Sequence, residues 1–390
     1  MTAKIDEIST VCFIGAGTMG SANALVAAVS GYDVVLHDAK PETLDTVAAR
    51  HADIGAFLVA AGYCTDDHLV AGLSRVSLEA DLATAVADAQ LVSESVFEDL
   101  DLKREIHASL DEACPAGTVL TTNTSALLVS DIEDVVARGD RFAALHSHLG
   151  SLLFDIVGGP RTTADTIDIL RRYVLSLGGI PLVLEKEHPG YVFNSMNGAL
   201  LAKAMRLVLD DYATSDDVDR TWMADRQAPM GPFGMIDLFG IDLVLDAWRR
   251  PSDDPAREAL RSKVMPFLAS YVDAGKLGQK SGSGFYDYPS PAYADPDFAA
   301  SGPSGLVSGA LLSALICSAV SLVAKGIASR DNVDLAWTAA TSLDAGPFAI
   351  LDQLGTDAFA DVMANQVAVE LLSPEVAQLT EAYLRQTGEQ

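Results

Sequence analysis

The sequence predicts an α/β domain with a parallel sheet at the N-terminus, followed by two tandem all-α domains. Residues 1 to about 187 alternate short β-like runs with helical patterns, which is typical of a parallel sheet with crossover helices. From Gly190 onward the β pattern fades and long helical patterns replace it. This helical part also contains an internal repeat. We therefore predict three domains, at residues 1–187, 188–300 and 301–390.

The strands of the first domain are predicted from runs of apolar and β-branched residues bounded by turn formers. They are Val11–Ile14, Val34–His37, Leu91–Glu94, Val119–Thr122, Phe142–His146, Leu152–Val157 and Leu182–Glu185. The clearest helices between them are Ser21–Ser30, Leu102–Ala113 and Asp165–Leu177. Farther along, proline, glycine, serine and aspartate crowd into residues 275–305, which indicates a long connection.

The internal repeat joins residues 199–246 to residues 314–361 at a constant offset of 115, without gaps. Of the 48 aligned positions, 18 are identical. Trp222 falls on Trp337, and the triplet Gly-Pro-Phe that ends at Phe233 recurs ending at Phe348. So many matches in a fixed register predict two copies of one helical unit in tandem.

The composition excludes several classes of partner. The 390 residues have a formal net charge of −28, which argues against nucleic acid and against an anionic membrane surface, since both attract basic proteins. Apolar runs are expected to fall short of the roughly 18 to 20 residues that a membrane span needs, and the N-terminus does not resemble a secretory signal. Four scattered cysteines (Cys12, Cys64, Cys114 and Cys317) lack CxxC spacing, so we expect reduced thiols and a cytoplasmic protein.

A glycine-rich turn predicts that the first domain binds a dinucleotide. Gly15-Ala16-Gly17-Thr18-Met19-Gly20 follows an apolar strand and opens a helix. The first glycine permits a tight turn and the second lets a pyrophosphate approach the backbone. The third lets the helix pack closely on the strand, so that the phosphates face the helix N-terminus. Asp38 ends the second strand and no arginine follows it closely, which favours NAD over NADP because the carboxylate would repel a 2′-phosphate.

Further motifs occur in a fixed order along nearly the whole chain. They are Ser93–Glu98 with Lys103, Thr122–Ser125, Arg141–His146, Pro189–Asn194, Met230–Phe233, Lys276–Gly278 and Gly284–Asp287. With these motifs and the glycine turn, the sequence resembles the L-3-hydroxyacyl-CoA dehydrogenase family. The resemblance implies a Rossmann-type NAD-binding domain and a helical domain of the 6-phosphogluconate-dehydrogenase C-terminal type, which the repeat duplicates.

The resemblance also implies the cofactor, the substrate and the residues that bind the cofactor. The cofactor is expected to be NAD. The substrate is expected to be a small acyl thioester, attached to CoA or to acyl carrier protein, and no metal is expected to take part. The implied cofactor-binding residues are Gly15, Gly17, Thr18, Met19, Gly20, Asp38, Glu98, Lys103 and Asn123.

By motif position, the resemblance assigns four residues to catalysis, namely His146, Asp155, Ser125 and Asn194. The chemistry it implies is hydride transfer between the C3 carbinol carbon of a hydroxyacyl thioester and the nicotinamide. His146 would remove the hydroxyl proton, since an imidazole pKa lies near working pH, and a carboxylate would fix its tautomer. Ser125 and Asn194 would hydrogen-bond the reacting oxygen. Structural readings stay open, because a histidine at a strand end is often structural and Ser125 or Asn194 could cap a helix.

The loop after His146 departs from the family pattern, which has a Phe-Phe-Asn-Pro-like stretch and then a glutamate. Ser147-His148-Leu149-Gly150-Ser151 stands here instead. If about three residues are missing from this loop, Asp155 takes the place of the glutamate, and without a gap Gly158 takes it. We favour Asp155, since it keeps a carboxylate for the histidine. His148 is an alternative base, and the two histidines make a poor metal site without a cysteine or an acidic cluster.

Two features leave the substrate open. Between Lys40 and Arg75 the only basic residues are Lys40, Arg50 and Arg75, fewer than a pocket for the CoA phosphates would favour. A carrier-protein thioester presents only a phosphopantetheine arm, although the acidic chain does not favour docking an acidic carrier. The alternatives are a dehydrogenase of a free hydroxy acid, of the sugar-acid or carnitine type, and an inactive relative that retains NAD binding.

The repeat also bears on assembly. The second copy has Gly309 and Ala310 where the first has Asn194 and Ser195, so we do not expect it to build an active site. It could instead cover the face through which single-repeat family members pair. We therefore expect either a monomer with an internal pseudo-dimer or a homodimer.

Overall fold

The computed structural model describes residues 4–148, 150–252 and 255–388. The chain divides into two compact units. The first consists of Met1–Tyr191 and Gly326–Asn332, and the second of Val192–Lys325 and Val333–Gln390.

The first unit is built on one sheet of eight strands. They are β1 (Thr10–Ile14), β2 (Asp33–His37), β3 (Val76–Glu79), β4 (Leu91–Glu94), β5 (Val119–Thr122), β6 (Phe142–Ser147), β7 (Leu153–Gly158) and β8 (Ile180–Val183). Their order across the sheet is β3-β2-β1-β4-β5-β6-β7-β8. Helices follow most strands: α1 (Thr18–Val29), α2 (Pro41–Asp45), α3 (Val47–Ala60), α4 (Asp66–Leu73), α5 (Leu82–Val86), α6 (Leu100–Ala113) and α7 (Ala164–Ser176).

The central strands lie in the interior of the first unit. All residues of β4, β5 and β6 are buried, as expected for strands inside a parallel α/β sheet. Strand β3 was absent from the sequence prediction. It lies at the edge of the sheet, and its sequence Val-Ser-Leu-Glu is half exposed, so it lacks the apolar run by which the other strands were recognised.

One pair of strands corrects the prediction of a parallel sheet. Strands β6 and β7 are antiparallel, with His146 directly opposite Asp155. Only residues 148–152 separate the two strands, whereas a parallel connection needs a dozen or more residues. The short loop therefore forces a hairpin, which places the end of β6 beside the start of β7.

The second unit is helical, and its helices reproduce the repeat. They are α8 (Phe193–Leu209), α9 (Ser215–Arg226), α10 (Pro232–Phe239), α11 (Ile241–Arg249), α12 (Pro255–Asp273), α13 (Gly305–Ala324), α14 (Arg330–Thr341), α15 (Pro347–Leu354), α16 (Thr356–Ala368) and α17 (Pro374–Gly388). Helices α9 and α10 recur as α14 and α15 with both ends shifted by 115 residues, and α8 and α13 end at equivalent positions. The duplication is therefore structural as well as sequential.

The same side-chain contact fixes the same turn in each copy. Asp219 accepts hydrogen bonds from the amides of Phe233 (2.8 Å) and Gly234 (2.9 Å) at the start of α10. Asp334 accepts from the amides of Phe348 (2.8 Å) and Ala349 (2.9 Å) at the start of α15. Each aspartate satisfies amides that have no partner within their own helix. Asp219 also accepts from the hydroxyl of the buried Tyr286 (3.0 Å).

Asp219→Ala is expected to destabilise the protein by more than the loss of a helix cap. Losing a cap of this kind costs about 1–2 kcal/mol. Asp219→Ala also leaves the hydroxyl of Tyr286 without its acceptor, which adds about 1–3 kcal/mol. Urea unfolding followed by tryptophan fluorescence measures Asp219→Ala alone and combined with Tyr286→Phe, which removes the hydroxyl. A double variant that regains no unfolding free energy would show that the Tyr286 hydrogen bond contributes nothing.

Helix α13 overturns the expectation about apolar runs. Its 20 residues include no charged side chain, and by length and composition it could cross a membrane. The sequence reading missed it because serines and glycines interrupt the aliphatic residues. In the structure 67% of its most apolar window is buried. It packs against α8, α9, α16 and α17, as a helix that is apolar on all sides must do inside a helical core.

The connection predicted at residues 275–305 is anchored to the first repeat. Asp237 on α10 accepts hydrogen bonds from the amides of Phe285 (2.9 Å) and Tyr286 (2.9 Å). It also accepts from the hydroxyl of Tyr288 (3.1 Å). These three bonds hold the connection against α10, which is why a stretch so rich in turn formers still has a defined path.

Candidate active site

The predicted cofactor residues meet at one edge of the sheet. Strands β1, β2, β4, β5 and β6 run parallel, so the residues that follow them share the carboxyl edge. Ligands of open α/β sheets bind outside this edge. The residues there include Gly15 after β1, Asp38 after β2, Ser95 after β4 and Asn123 after β5, with His146 near the end of β6.

The glycine turn has the geometry that a pyrophosphate needs. Gly15 has a φ of +96°, and a Cβ on it would lie 2.7 Å from the carbonyl oxygen of Ser95. A Cβ on Gly20 would lie 1.8 Å from the carbonyl oxygen of Gly15. A Cβ on Gly17 would meet nothing within 4 Å, so this position faces open space at the start of α1, where free amides and the helix dipole favour an anion. The turn therefore fits the phosphates of NAD.

Asp38 and Arg50 support the glycine turn from the side. Asp38 accepts hydrogen bonds from the amides of Ala16 (3.0 Å) and Lys40 (2.9 Å). A carboxylate oxygen can accept more than one bond, so the half-buried group keeps acceptor capacity for ribose hydroxyls. Arg50 on α3 donates to the carbonyl of Ala16. In the sequence Arg50 stands out only as one of the few basic residues between Lys40 and Arg75, because its contact with the turn depends on how α3 packs on α1.

A chain of polar side chains links the ends of neighbouring strands. The Asn123 amide donates to the hydroxyl of Ser95 (3.1 Å) and accepts from the backbone amide of Ser147 (2.9 Å). Asn23 on α1 donates to the hydroxyl of Ser147 (2.8 Å). Asn123 was predicted from the resemblance, whereas Asn23, Ser95 and Ser147 were not assigned. These bonds fix the spacing between the cofactor edge and His146.

Lys103 lies in a fully buried cluster beneath this edge. Its Nζ is 2.7 Å from Oε1 of Glu94 and 3.5 Å from Oε2 of Glu98. Glu94 also accepts from Thr122 (2.7 Å) and His107 (3.2 Å). Burial alone would raise the pKa of Glu94, but the hydrogen bond from His107 and the charge of Lys103 outweigh it and lower the pKa to about 2. The Lys103 side chain is 0% exposed, so it has no surface for direct contact with a cofactor.

Glu98 in turn positions the loop after β5. Its Oε1 accepts from the amides of Ser125 and Ala126 (both 2.9 Å) and from the hydroxyl of Thr124. Ser125 does not cap a helix, since the next helical turn begins at Val129. Its hydroxyl makes no hydrogen bond within the part of the chain that the structure describes. The loop is thus held by its backbone, while the Ser125 hydroxyl stays available.

His146 and Asp155 form a buried pair across the β6–β7 hairpin. Residues opposite each other in an antiparallel pair point to the same face, and Nδ1 of His146 is 2.9 Å from Oδ2 of Asp155. The His146 side chain is 9% exposed and that of Asp155 is 0% exposed. An ionised carboxylate only accepts hydrogen bonds, so Nδ1 carries the proton and Nε2 keeps a lone pair. Gly158, the other candidate for the acidic position, instead lies opposite Ala143.

The surroundings favour a neutral imidazole beside an ionised carboxylate. Burial lowers the pKa of His146 below its ordinary value, although the hydrogen bond to Asp155 and the charge of Glu98 act the other way. Burial would raise the pKa of Asp155, but the hydrogen bonds from His146 and His148 outweigh it and lower that pKa. This is the protonation state that a general base needs before it accepts a proton.

His148 also bonds to Asp155, which the sequence did not predict. Its Nε2 lies 2.7 Å from the same oxygen, Oδ2, and its ring centroid is 4.6 Å from that of His146. The side-chain atoms of His146, His148 and Asp155 that could bind a metal all lie within 4.8 Å of one another. The two histidines were predicted to make a poor metal site without an acidic group, and Asp155 supplies one. Two ordinary hydrogen bonds explain the cluster, and the absence of a metal stays a prediction.

Asn194 lies in the helical unit, in the first turn of α8. The N-cap residue of α8 is Val192, so Asn194 does not cap the helix. Its half-buried side chain makes no hydrogen bond among residues 4–148, 150–252 and 255–388. The equivalent position of the second repeat, Gly309, is pressed against Gln366, whose Nε2 would lie 2.7 Å from a Cβ. The second copy thus has no room for a side chain at this position.

Comparison with known protein families identifies the chain. The NAD-binding domain of 3-hydroxyacyl-CoA dehydrogenase matches residues 10–188. The C-terminal domain of the same family matches residues 190–288 and 305–386. The chain belongs to the 3-hydroxyacyl-CoA dehydrogenase family. The repeated C-terminal match confirms the predicted fold class, a Rossmann-type domain followed by two helical domains.

Individual relatives agree with the family. The mitochondrial hydroxyacyl-coenzyme A dehydrogenase of Rattus norvegicus is 32% identical over 295 residues, which cover 72% of this chain and 91% of that protein. A diketoreductase structure is 33% identical with a TM-score of 0.67, covering 74% of this chain and all of the other. The 3-hydroxybutyryl-CoA dehydrogenase of Escherichia coli K12 has a TM-score of 0.80 at 23% identity and covers 98% of this chain, which shows a shared fold.

These matches establish the reaction class. The chain is an NAD-dependent oxidoreductase of the 3-hydroxyacyl-CoA dehydrogenase type, which acts on a CH–OH group, and NAD is its cofactor. The rat and diketoreductase chains are covered almost completely by about three quarters of this one. The remainder is close in size to the second C-terminal match.

Proposed function

We propose that this family member interconverts 3-hydroxyacyl and 3-oxoacyl thioesters, with His146 as the general base in the oxidative direction. The observation that supports this most is the buried His146–Asp155 hydrogen bond of 2.9 Å at the carboxyl edge of the sheet. The carboxylate fixes the tautomer of His146, so that Nδ1 carries the proton and Nε2 is left to meet a substrate. The fully buried His107 also bonds to a carboxylate, that of Glu94, but it lies in the cluster beneath this edge.

In this proposal the chain's own residues move one proton. His146 Nε2 accepts the proton of the substrate hydroxyl, and Asp155 steadies the imidazolium that forms. In the reverse direction His146 returns that proton to the carbonyl oxygen. Ser125, and Asn194 by its motif position, hold the reacting oxygen. When NAD is bound, its nicotinamide supplies the acceptor for the hydride that leaves the carbinol carbon.

The cofactor side of the site follows from the same geometry. Gly15, Gly17, Thr18, Met19 and Gly20 would bind the pyrophosphate, with Asp38 on the adenosine ribose. Glu98 and Asn123 would contact the nicotinamide half, with Lys103 holding Glu98 from below (3.5 Å).

The thioester carrier is a separate question, and α2, α3 and α4 bear on it. Basic residues on and around them are few. Arg50 is engaged with Ala16, and Arg75 pairs with Asp33 at 2.9 Å. Little positive charge is left for the phosphates of CoA, so a phosphopantetheine thioester of carrier protein or CoA is bound mainly through its acyl end. A free hydroxy acid is the second candidate. A diketoreductase among the similar structures is described as acting on dicarbonyl compounds, a class that is not limited to thioesters.

We also propose the domain limits 1–187, 188–300 and 301–390. The protein is proposed to be a monomer, in which the second repeat covers the face of the first repeat through which single-repeat family members pair. A homodimer is the alternative. The cytoplasm is the proposed compartment, since the four cysteines are unpaired and buried.

Turnover of acetoacetyl-CoA with NADH, followed at 340 nm, tests the proposal. We expect turnover of both acetoacetyl-CoA and acetoacetyl-pantetheine, with KM values that differ by no more than about threefold. The difference should be small because few basic side chains are left to bind the nucleotide part of CoA. Free acetoacetate should be a poorer substrate by at least about tenfold in kcat/KM. Turnover confined to free acids would favour the second candidate. NADH binding without turnover on any of these would identify an inactive relative.

A further inference from the structure

Two histidines bond to a single carboxylate oxygen. His146 Nδ1 lies 2.9 Å and His148 Nε2 lies 2.7 Å from Oδ2 of Asp155. The other oxygen, Oδ1, is buried without a hydrogen-bond partner among the described residues. The side chain of His148 is 7% exposed. Among the residues that the structure describes, this carboxylate is therefore held through one oxygen and two imidazoles.

The hairpin explains why both histidines reach the same oxygen. Side chains two residues apart on a strand point to the same face. His146 stands directly opposite Asp155. The amide of His148 donates to the carbonyl of Leu153 (3.3 Å) just beyond the strand, which places His148 diagonal to Asp155. The geometry is built into the register of β6 and β7 and does not depend on a mobile side chain.

We propose that His148 is a positioning residue, which fixes the Asp155 carboxylate and withdraws part of its charge from His146. The inference rests on the proposed role of His146 as the base. An ionised Asp155 only accepts hydrogen bonds, so both rings donate to it. Because the two donors share the negative charge of one oxygen, each bond weakens the other. Without His148, Asp155 would be held by the His146 hydrogen bond, and its full negative charge would act on His146.

The direction of the effect follows from the charges around His146. The charged and titratable groups that face it are Asp155, His148 and Glu98, and the ring of Tyr191 lies 5.3 Å from its ring. Asp155 and Glu98 raise the pKa of His146, whereas burial and His148 lower it. Removing His148 therefore raises the pKa of His146. Oxidation needs neutral His146 and should weaken at low pH, whereas reduction needs the imidazolium and should persist to higher pH.

The test compares His148→Ala with His148→Gln in both directions across pH 5.5–9.5. For His148→Ala we expect oxidation of 3-hydroxybutyryl-CoA at pH 6 to fall about three- to tenfold, and reduction of acetoacetyl-CoA at pH 9 to rise relative to its pH 7 value by a similar factor. His148→Gln keeps an N–H donor of similar reach, so its profile should return close to that of the wild type. EDTA is present throughout, so that the profiles report protons and no adventitious metal. NADH affinity, measured by fluorescence, checks that each variant is folded.

The outcomes separate this inference from the proposed function. If His148→Ala keeps the wild-type profiles, or loses activity equally in both directions and at every pH, the positioning role is wrong. If His146→Gln retains turnover, the base is not His146, and the proposed function and this inference fail together. Opposite shifts of the oxidation and reduction pH profiles in His148→Ala, with wild-type profiles in His148→Gln, would support the positioning role. A purely structural loss would lower both activities without shifting the two profiles in opposite directions.

Discussion

A His146→Ala variant is expected to lose about 10²- to 10⁴-fold in kcat while binding NADH as tightly as the wild type. Positioned general acid–base catalysis contributes a factor of this size. The glycine turn proposed to bind the cofactor does not involve His146, so cofactor affinity should not change. Measuring kcat at saturating acetoacetyl-CoA and NADH, together with NADH affinity by fluorescence, separates catalysis from binding.

His68→Ala is the matched control for this variant. His68 is an exposed histidine on α4 of the same unit, and its replacement should leave kcat unchanged. A His146→Ala enzyme that keeps more than about a tenth of the wild-type kcat would contradict the assignment. His148 would then be the next residue to examine, since it shares the same carboxylate.

Lys103→Met is expected to destabilise the first unit by about 3–5 kcal/mol, because it leaves a buried charge without its partner. The Glu94 and Lys103 side chains are both 0% exposed and lie 2.7 Å apart. Methionine fills a similar volume but cannot neutralise Glu94 or reach Glu98 with a charge. Thermal and urea unfolding of the variant measure the loss.

The double variant Glu94→Gln/Lys103→Met is the control for this effect. Removing both charges is much less harmful than removing one, so part of the lost stability should return. In the wild type the pKa of Glu94 is about 2, below its unfolded value of about 4.3. Its contribution is therefore present above about pH 4 and lost as the pH falls toward 2. A double variant as unstable as Lys103→Met would show that volume, not charge, governs this cluster.

The sequence predicted the elements whose signals are local. The glycine turn, the strands that carry buried apolar runs and the repeat offset of 115 all appear in the structure. Elements defined by their surroundings were missed. Edge strand β3 is half exposed, and α13 is apolar all round with small polar residues among its aliphatic ones. In both cases burial is decided by neighbours that the local pattern does not contain.

The candidate site divides in the same way. The positions of His146 and Asp155 came from motif order and from the choice of a shortened loop. Their contact depends on the hairpin register, and a slip of one residue would turn Asp155 to the other face of the sheet. Arg50 and Asn23 could not be found from sequence, because each reaches the cofactor edge through the packing of a helix. His148 was noticed, but its bond to Asp155 was not foreseen.

The short hairpin between β6 and β7 has a consequence for how this chemistry is inherited. The proposed proton acceptor and its carboxylate lie only nine positions apart in the chain, so one contiguous peptide encodes both. Exchange of residues 142–158 between homologues would transfer the couple intact, whereas partners on distant strands would need two coordinated replacements. Within this fold the proposed base and its carboxylate therefore form one contiguous segment, and a slip of one residue in the pairing of β6 with β7 would separate them in a single step.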